Sequence, residues 1–177
     1  MTTKPPNAST HAVALAADWI RSGRVKRCLV GATEILSVLT LEGFKSFKLL
    51  SSEVCRPFDE ERTGINLSET SAFLCLESEP QNPLAEVVGA GMSSDAHHMT
   101  APHPEGRGLS KAIDSALRRS NLKPADVDWL HAHGTGSPAN DAAESHVSVI
   151  PATVQGKADC GGDFERAGHG DYFQIGR

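Results

Sequence analysis

The chain has 177 residues, of which 17 are Lys or Arg and 22 are Asp or Glu, giving a formal charge of −5. That balance argues against a nucleic-acid or anionic-membrane partner, which normally meets a basic excess. No stretch approaches the ~20 apolar residues that span a bilayer. Met1 to Ser9 is polar and contains proline, with no apolar signal-peptide core, so a cytoplasmic setting is expected. Hydrophobic residues make up 39% and aromatics only 5%, so any core must be built from Ala, Val, Leu and Ile. A compact chain of this length can bury about 70% of its unfolded surface. Cys28, Cys55, Cys75 and Cys160 form no CxxC pair. Reduced thiols are the expectation, with two disulfides as the alternative.

In chain order, Ser9 to Ser22 reads as a helix. Val13, Ala16, Ala17 and Ile20 recur at helical spacing, and Gly23 stands where a C-terminal cap belongs. Val25 to Val30 reads as a short strand ending in Gly31. Helix, tight turn, strand and Gly make one unit of an α/β fold. Residues 34–50 are mixed apolar and Gly-interrupted, read as helix with loops, and 51–71 as a structured loop. Ala72 to Glu77 reads as a buried strand, 78–83 as a turn, and Ala85 to Met92 as another strand. His97 to Arg107 is a loop. Leu109, Ile113, Ala116 and Leu117 mark an amphipathic helix ending near Ser120. Val127 to Ala132 reads as a strand, and Asn140 as the cap of a helix through Val147. From Pro151 onward, 27 residues hold 6 of the 16 glycines without any period, read as a loop-rich, poorly ordered tail.

Three segments carry chemical groups. In His131-Ala-His-Gly-Thr-Gly-Ser-Pro-Ala-Asn-Asp141 a strand runs into His133 and a Gly-rich turn. Sites in open α/β sheets gather beyond the carboxyl ends of strands. A His placed there can donate to a developing oxyanion or move a proton; a turn with no catalytic role fits the same spacing. Arg56-Pro-Phe-Asp59, Arg62-Thr-Gly64 and Ser68-Glu69 read either as an ion-pair network holding a loop or as a solvated charged loop. His97, His98 and His103 lie within seven residues, yet their spacing fits no zinc pattern, so no metal is expected.

Taken together, Cys55-Arg-Pro-Phe-Asp-x-x-Arg-x-Gly64, Ser68-Glu69 before a strand, Ser94-Asp95-Ala-His97 with Thr100, Pro102 and Gly106, and Ala132-His-Gly-Thr-Gly136 with Asn140-Asp141 and Glu144 resemble β-ketoacyl-acyl-carrier-protein synthases. The resemblance covers about 7–145, less than half of a complete synthase. It implies an α/β, partial thiolase-like fold of layered αβα type with incomplete mixed sheets. Residues 7–77 would be the remainder of the N-terminal half, 84–150 the start of the C-terminal half, and 151–177 an irregular tail of doubtful family origin.

The family performs a decarboxylating Claisen condensation in fatty-acid or polyketide synthesis and works as dimers. A Cys takes an acyl group from acyl carrier protein. Two His, the second supported by a Lys, stabilise the enolate from malonyl carrier protein. By resemblance, acyl carrier protein, acyl and malonyl thioesters and a second synthase subunit are the expected partners, with no cofactor. His133 matches the first His and would hydrogen-bond the malonyl thioester oxygen as charge grows there. Thr135 and Ser137 match positions bordering the pantetheine arm. Asp59, Arg62 and Glu69 match framework residues near the site.

The chain departs from the family pattern at both ends. Pro6 falls at the nucleophile position, at the start of the first helix, and proline cannot be acylated. On the same alignment, the strand that delivers the nucleophile in the family is expected to fall outside these 177 residues. Gly168-His169-Gly170 falls near the second-His position, but the closest preceding Lys is Lys157, so His169 reads as a chance match. The expectation is therefore a truncated synthase-like chain unable to complete the reaction. The alternative is a non-catalytic partner of chain-length-factor type that binds a full synthase or acyl carrier protein.

Overall fold

The computed structural model describes residues 8–98 and 101–147, together with the backbone of 175–176. Helix α1 spans Ala8–Arg21 and buries Ala14, Ala16 and Ala17. These small side chains let it lie close over strand β1, Arg27–Glu34. Gly23 ends the helix at φ +70, and its N–H donates to the Ile20 carbonyl at 3.0 Å. The Arg24 guanidinium sits over the Trp19 ring, 5.7 Å from its centre. Strand β1 runs through Gly31 rather than ending there. It pairs antiparallel with β2, Thr70–Glu77, with Val30 opposite Leu74 and Gly31 opposite Phe73. The Phe73 ring occupies the space a side chain at Gly31 would need.

Strand β2 is not the buried strand expected over 72–77. Side chains alternate across a strand, and α1 covers one face of the pair, chiefly over β1. Val30 is buried there, whereas Leu74 beside it is 52% exposed. On the opposite face Leu29 is 70% and Phe73 64% exposed. Helix α2, Val38–Ser46, is capped by Ser37, whose Oγ accepts from the Thr40 N–H at 3.1 Å. The 51–71 loop is structured, as expected. Leu50 and Ile65 form a parallel bridge, and the Cys55 N–H donates to Asn66 Oδ1 at 2.7 Å.

Residues 85–92 do not form the expected strand. They lie along α3, Arg107–Ser120, where Gly89 and Gly91 abut the Ala116 and Ala112 carbonyls. Their carbonyls are met by side chains: Arg21 donates to that of Val87 and Arg119 to that of Ala90, the latter at 3.4 Å. The 3.6-residue period of α3 turns Ile113 and Leu117 inward onto Val127, flanked by Leu109, Leu122, Leu130 and Val147. Asp18 and Arg119 pair at 2.6 Å and tie α1 to α3.

A 3₁₀ turn, Pro124–Asp126, leads to β3, which covers only Trp129–Leu130 of the expected 127–132. The Trp129 and His131 rings lie 5.4 Å apart. Helix α4 is Pro138–Ser145, and its cap is Ser137, not Asn140. Pro138 at the first helical position fixes that start, since it needs no N–H partner there. The expected tail over 151–177, and His169 with it, lies outside the described residues except for β4, Ile175–Gly176, whose backbone pairs antiparallel with β3. Among the described residues Cys28, Cys55 and Cys75 are free thiols. No helix among them is long and apolar enough to cross a membrane.

Candidate functional site

Strand β3 ends just before His131, and the chain then turns through His133 to Gly136 into α4. Gly134 and Gly136 both have positive φ, +50 and +80, a region glycine enters without steric cost. Gly136 is also pressed against the loop 55–64. A Cβ there would lie 2.6 Å from the Gly64 carbonyl oxygen and 3.4 Å from Cys55 Cβ. The turn therefore sits directly on the Cys55–Gly64 segment that the sequence singled out.

Two carboxylates of α4 hold this turn. Glu144 accepts from the His133 N–H at 2.6 Å and from the Gly134 N–H at 2.9 Å, one to each oxygen. Asp141 accepts from the Gly136 N–H at 3.2 Å and, through its other oxygen, from the Phe58 N–H at 2.8 Å. Arg62 Nε lies 3.6 Å from that second oxygen, and Arg62 Nη1 donates to the Asp59 carbonyl at 2.7 Å. Asp141 is 1% and Glu144 8% exposed. A buried carboxylate is tolerated where charge-assisted bonds from backbone N–H groups and a cation satisfy it. Burial pushes the Glu144 carboxyl above its ordinary range. The bonds from Gly134 and His133 pull the other way, and the Asp141 charge adds to the rise.

The three residues singled out from the sequence are brought together on this turn. His133 is half-buried, its backbone fixed by Glu144. Thr135 is half-buried and Ser137 buried. Their hydroxyls lie 3.0 Å apart, and the Ser137 N–H donates to Thr135 Oγ1 at 3.3 Å. Of the framework residues, Arg62 reaches the site through Asp141, while Glu69 lies elsewhere and accepts from the Leu36 N–H at 2.8 Å. Arg56 pairs with Glu61 at 3.3 Å and Glu53 at 3.6 Å at the surface. The loop is thus part network and part solvated.

His97 and His103 have ring centres 4.8 Å apart. Among the described residues no group of three or more His, Cys, Asp or Glu is placed to hold a metal ion. Sequence reasoning quoted Asp141 and Glu144 as parts of a motif but gave neither a task. The signal was there: two acids three apart, on the helix that follows a Gly-rich turn, face back toward the turn's N–H groups.

Such a turn holds the His133 backbone in place and sets the Thr135 and Ser137 hydroxyls two and four residues beyond it. Residues 7–82 match the β-ketoacyl synthase N-terminal domain and 84–158 the β-ketoacyl synthase C-terminal domain. A 3-oxoacyl-[acyl-carrier-protein] synthase 2 from Synechocystis is 40% identical over 152 residues, covering 78% of this chain and 36% of that protein. A solved ketosynthase in complex with its chain length factor, from Xenorhabdus doucetiae, superposes with a TM-score of 0.74 at 41% identity, covering 78% of this chain and 34% of that one. A structure of a type II polyketide acyl carrier protein in complex with its ketosynthase gives a TM-score of 0.75 at 31% identity, over 79% of this chain and 37% of that one. The chain thus spans about a third of the length of the relatives it matches. With an α/β, partial thiolase-like fold and both domain signatures in order, it belongs to the β-ketoacyl synthase family.

Proposed function

We propose that this chain is a β-ketoacyl-acyl-carrier-protein synthase-like protein that binds thioesters of the family type and does not itself complete the condensation. The observation that carries the reading is the half-buried His133, set on a turn whose N–H groups are locked by Glu144. A preorganised donor at that point favours the enolate oxygen that forms when a malonyl thioester loses carbon dioxide. Thr135 and Ser137, two residues apart beyond it, would contact the pantetheine arm. Pro6 stands at the position the family gives to its Cys, so no acyl-enzyme is expected. Losing a covalent nucleophile in a comparable constellation costs ~10⁶ in rate.

The test is titration of the chain with malonyl-pantetheine, followed by the His133 ring resonances. Binding is expected, weakened about tenfold in His133→Ala, the loss of one hydrogen bond to a polar group. An unchanged affinity in that variant sinks the role of His133. In a parallel assay with acyl and malonyl carrier protein, a β-ketoacyl product that disappears in His133→Ala would overturn the claim of incompetence. The proposed partners are acyl carrier protein and a synthase subunit, in the cytoplasm.

A second reading is a non-catalytic subunit of chain-length-factor type. It is favoured by Pro6 in place of the Cys and by the likeness to a solved ketosynthase bound to its chain length factor. Co-purification with an intact synthase, in a fixed stoichiometry and without added activity, would support it over the first reading.

A further inference from the structure

Gly106 caps the start of helix α3 and lies against Ala143 in the last turn of α4. Gly106 is left-handed, φ +61 and ψ +26. Its N–H donates to the His103 carbonyl at 2.8 Å, and its carbonyl accepts from the Ser110 N–H at 2.9 Å. A Cβ on it would collide with the Ala143 carbonyl oxygen and lie 3.0 Å from Val147 Cγ2. Ala143 is the buried residue directly before Glu144. The loop before Gly106 is fastened to residues 93–95, and these to α3: the His103 N–H donates to Asp95 Oδ2 at 2.5 Å, and Ser93 Oγ donates to the Gly108 carbonyl at 2.5 Å. Anything that lifts the end of α4 off Gly106 carries the Glu144 carboxylate away from the His133 and Gly134 N–H groups.

We infer that Gly106 is a positioning residue for His133, acting through the seat it gives Ala143 and hence through the Glu144 clamp. The chemical importance of His133 rests on the reading proposed above, but the amide protons that report the clamp do so whether or not a thioester binds. Failure of one idea is therefore distinguishable from failure of the other.

The experiment is amide hydrogen exchange on the full chain, read at His133, Gly134 and, as a reporter of the α3 core, Leu117. In Gly106→Ala the His133 and Gly134 amides should exchange roughly tenfold faster relative to Leu117, as a charge-assisted bond is loosened. Gly23→Ala is the control, because Gly23 also has positive φ but has nothing within 4 Å of a Cβ; it should leave the two amides unmoved. Should Gly106→Ala not fold, Val147→Ala decides, loosening the same seat with a smaller change in the same two amides. The inference is overturned if His133 and Gly134 hold their protection in the folded variants, if they lose it only in step with Leu117, or if Gly23→Ala moves them equally.

Discussion

The region from Ala8 to Glu77 and the region from Arg107 to Ser145 hold themselves together differently. In the first, packing is apolar and one-sided: α1 covers one face of a two-stranded ribbon, and Leu29 and Phe73 stand exposed on the other. In the second, an apolar cluster around Ile113, Leu117 and Val127 adjoins two buried carboxylates that collect backbone N–H groups from two segments, the loop at Phe58 and the turn 133–136. An apolar face tolerates an empty side because contact is non-directional. A buried carboxylate does not, because each lost donor leaves an uncompensated charge. Single substitutions should therefore be felt very unequally in the two regions.

The largest effect is expected at Asp141. Asp141→Ala strips acceptors from the Phe58 and Gly136 N–H groups and leaves Arg62 without its carboxylate. A loss of about 3–5 kcal/mol is expected in urea denaturation, a large share of the roughly 5–15 kcal/mol that holds an ordinary chain folded. A loss below about 1 kcal/mol would show that the two regions do not differ in the way described.

Glu144→Gln sharpens the comparison through pH. The folded carboxyl of Glu144 is raised above the ordinary 4.5, mainly by burial. Over the window from that value up through the raised one, the folded state holds the proton more often than the unfolded state. Glu144 therefore contributes a stability that falls as pH rises through its folded pKa. Glu144→Gln should flatten that part of the stability–pH curve, with about 1–2 kcal/mol lost at low pH. Asp18 carries the opposite sign. The hydrogen bond from Arg119 holds its carboxyl below the ordinary 3.8, so its contribution is present above that value and fades as pH falls through the lowered one. The pair is exposed, and Asp18→Asn should cost at most about 1 kcal/mol, shrinking in high salt.

The smallest effect is expected on the open ribbon face. Leu29→Ser should change unfolding stability by no more than about 0.5 kcal/mol. It should also reduce self-association at high concentration, measured by light scattering, because it removes an exposed apolar side chain beside a strand edge that has no partner among the described residues.

The parts legible from the sequence were those in which local pattern and tertiary environment agree. In α3, Leu109, Ile113 and Leu117 recur at the spacing that one buried face requires, and the structure buries them together. Helix α1 is legible for the same reason: Ala16 and Ala17 of its apolar stripe are buried. The Gly-rich turn after an apolar strand points to His133, and the resemblance to the synthases adds Thr135 and Ser137, whose hydroxyls the structure sets 3.0 Å apart on the same turn. Residues 85–92 misled because an apolar run shows that a segment is covered, not what covers it. Here the cover is a helix backbone brought close by Gly89 and Gly91. Ala72 to Glu77 misled in the converse way, since apolar composition does not supply a second layer. Asp141 and Glu144 stayed without a task because acids on a helix ordinarily face water. The cue that sets them apart is their position on the helix directly after a Gly-rich turn, whose N–H groups converge on them.

The two tryptophans fall one in each region. Trp19, with Ala12, Leu15 and Ala16, lines a cavity of about 280 Å³ between α1 and β1, and Trp129 sits on β3 at the approach to the His133 turn. Replacing either by Phe leaves a chain with a single indole chromophore. Its emission would record when that region alone lets go, so the order in which the two regions release during denaturation is written into the protein's own fluorescence.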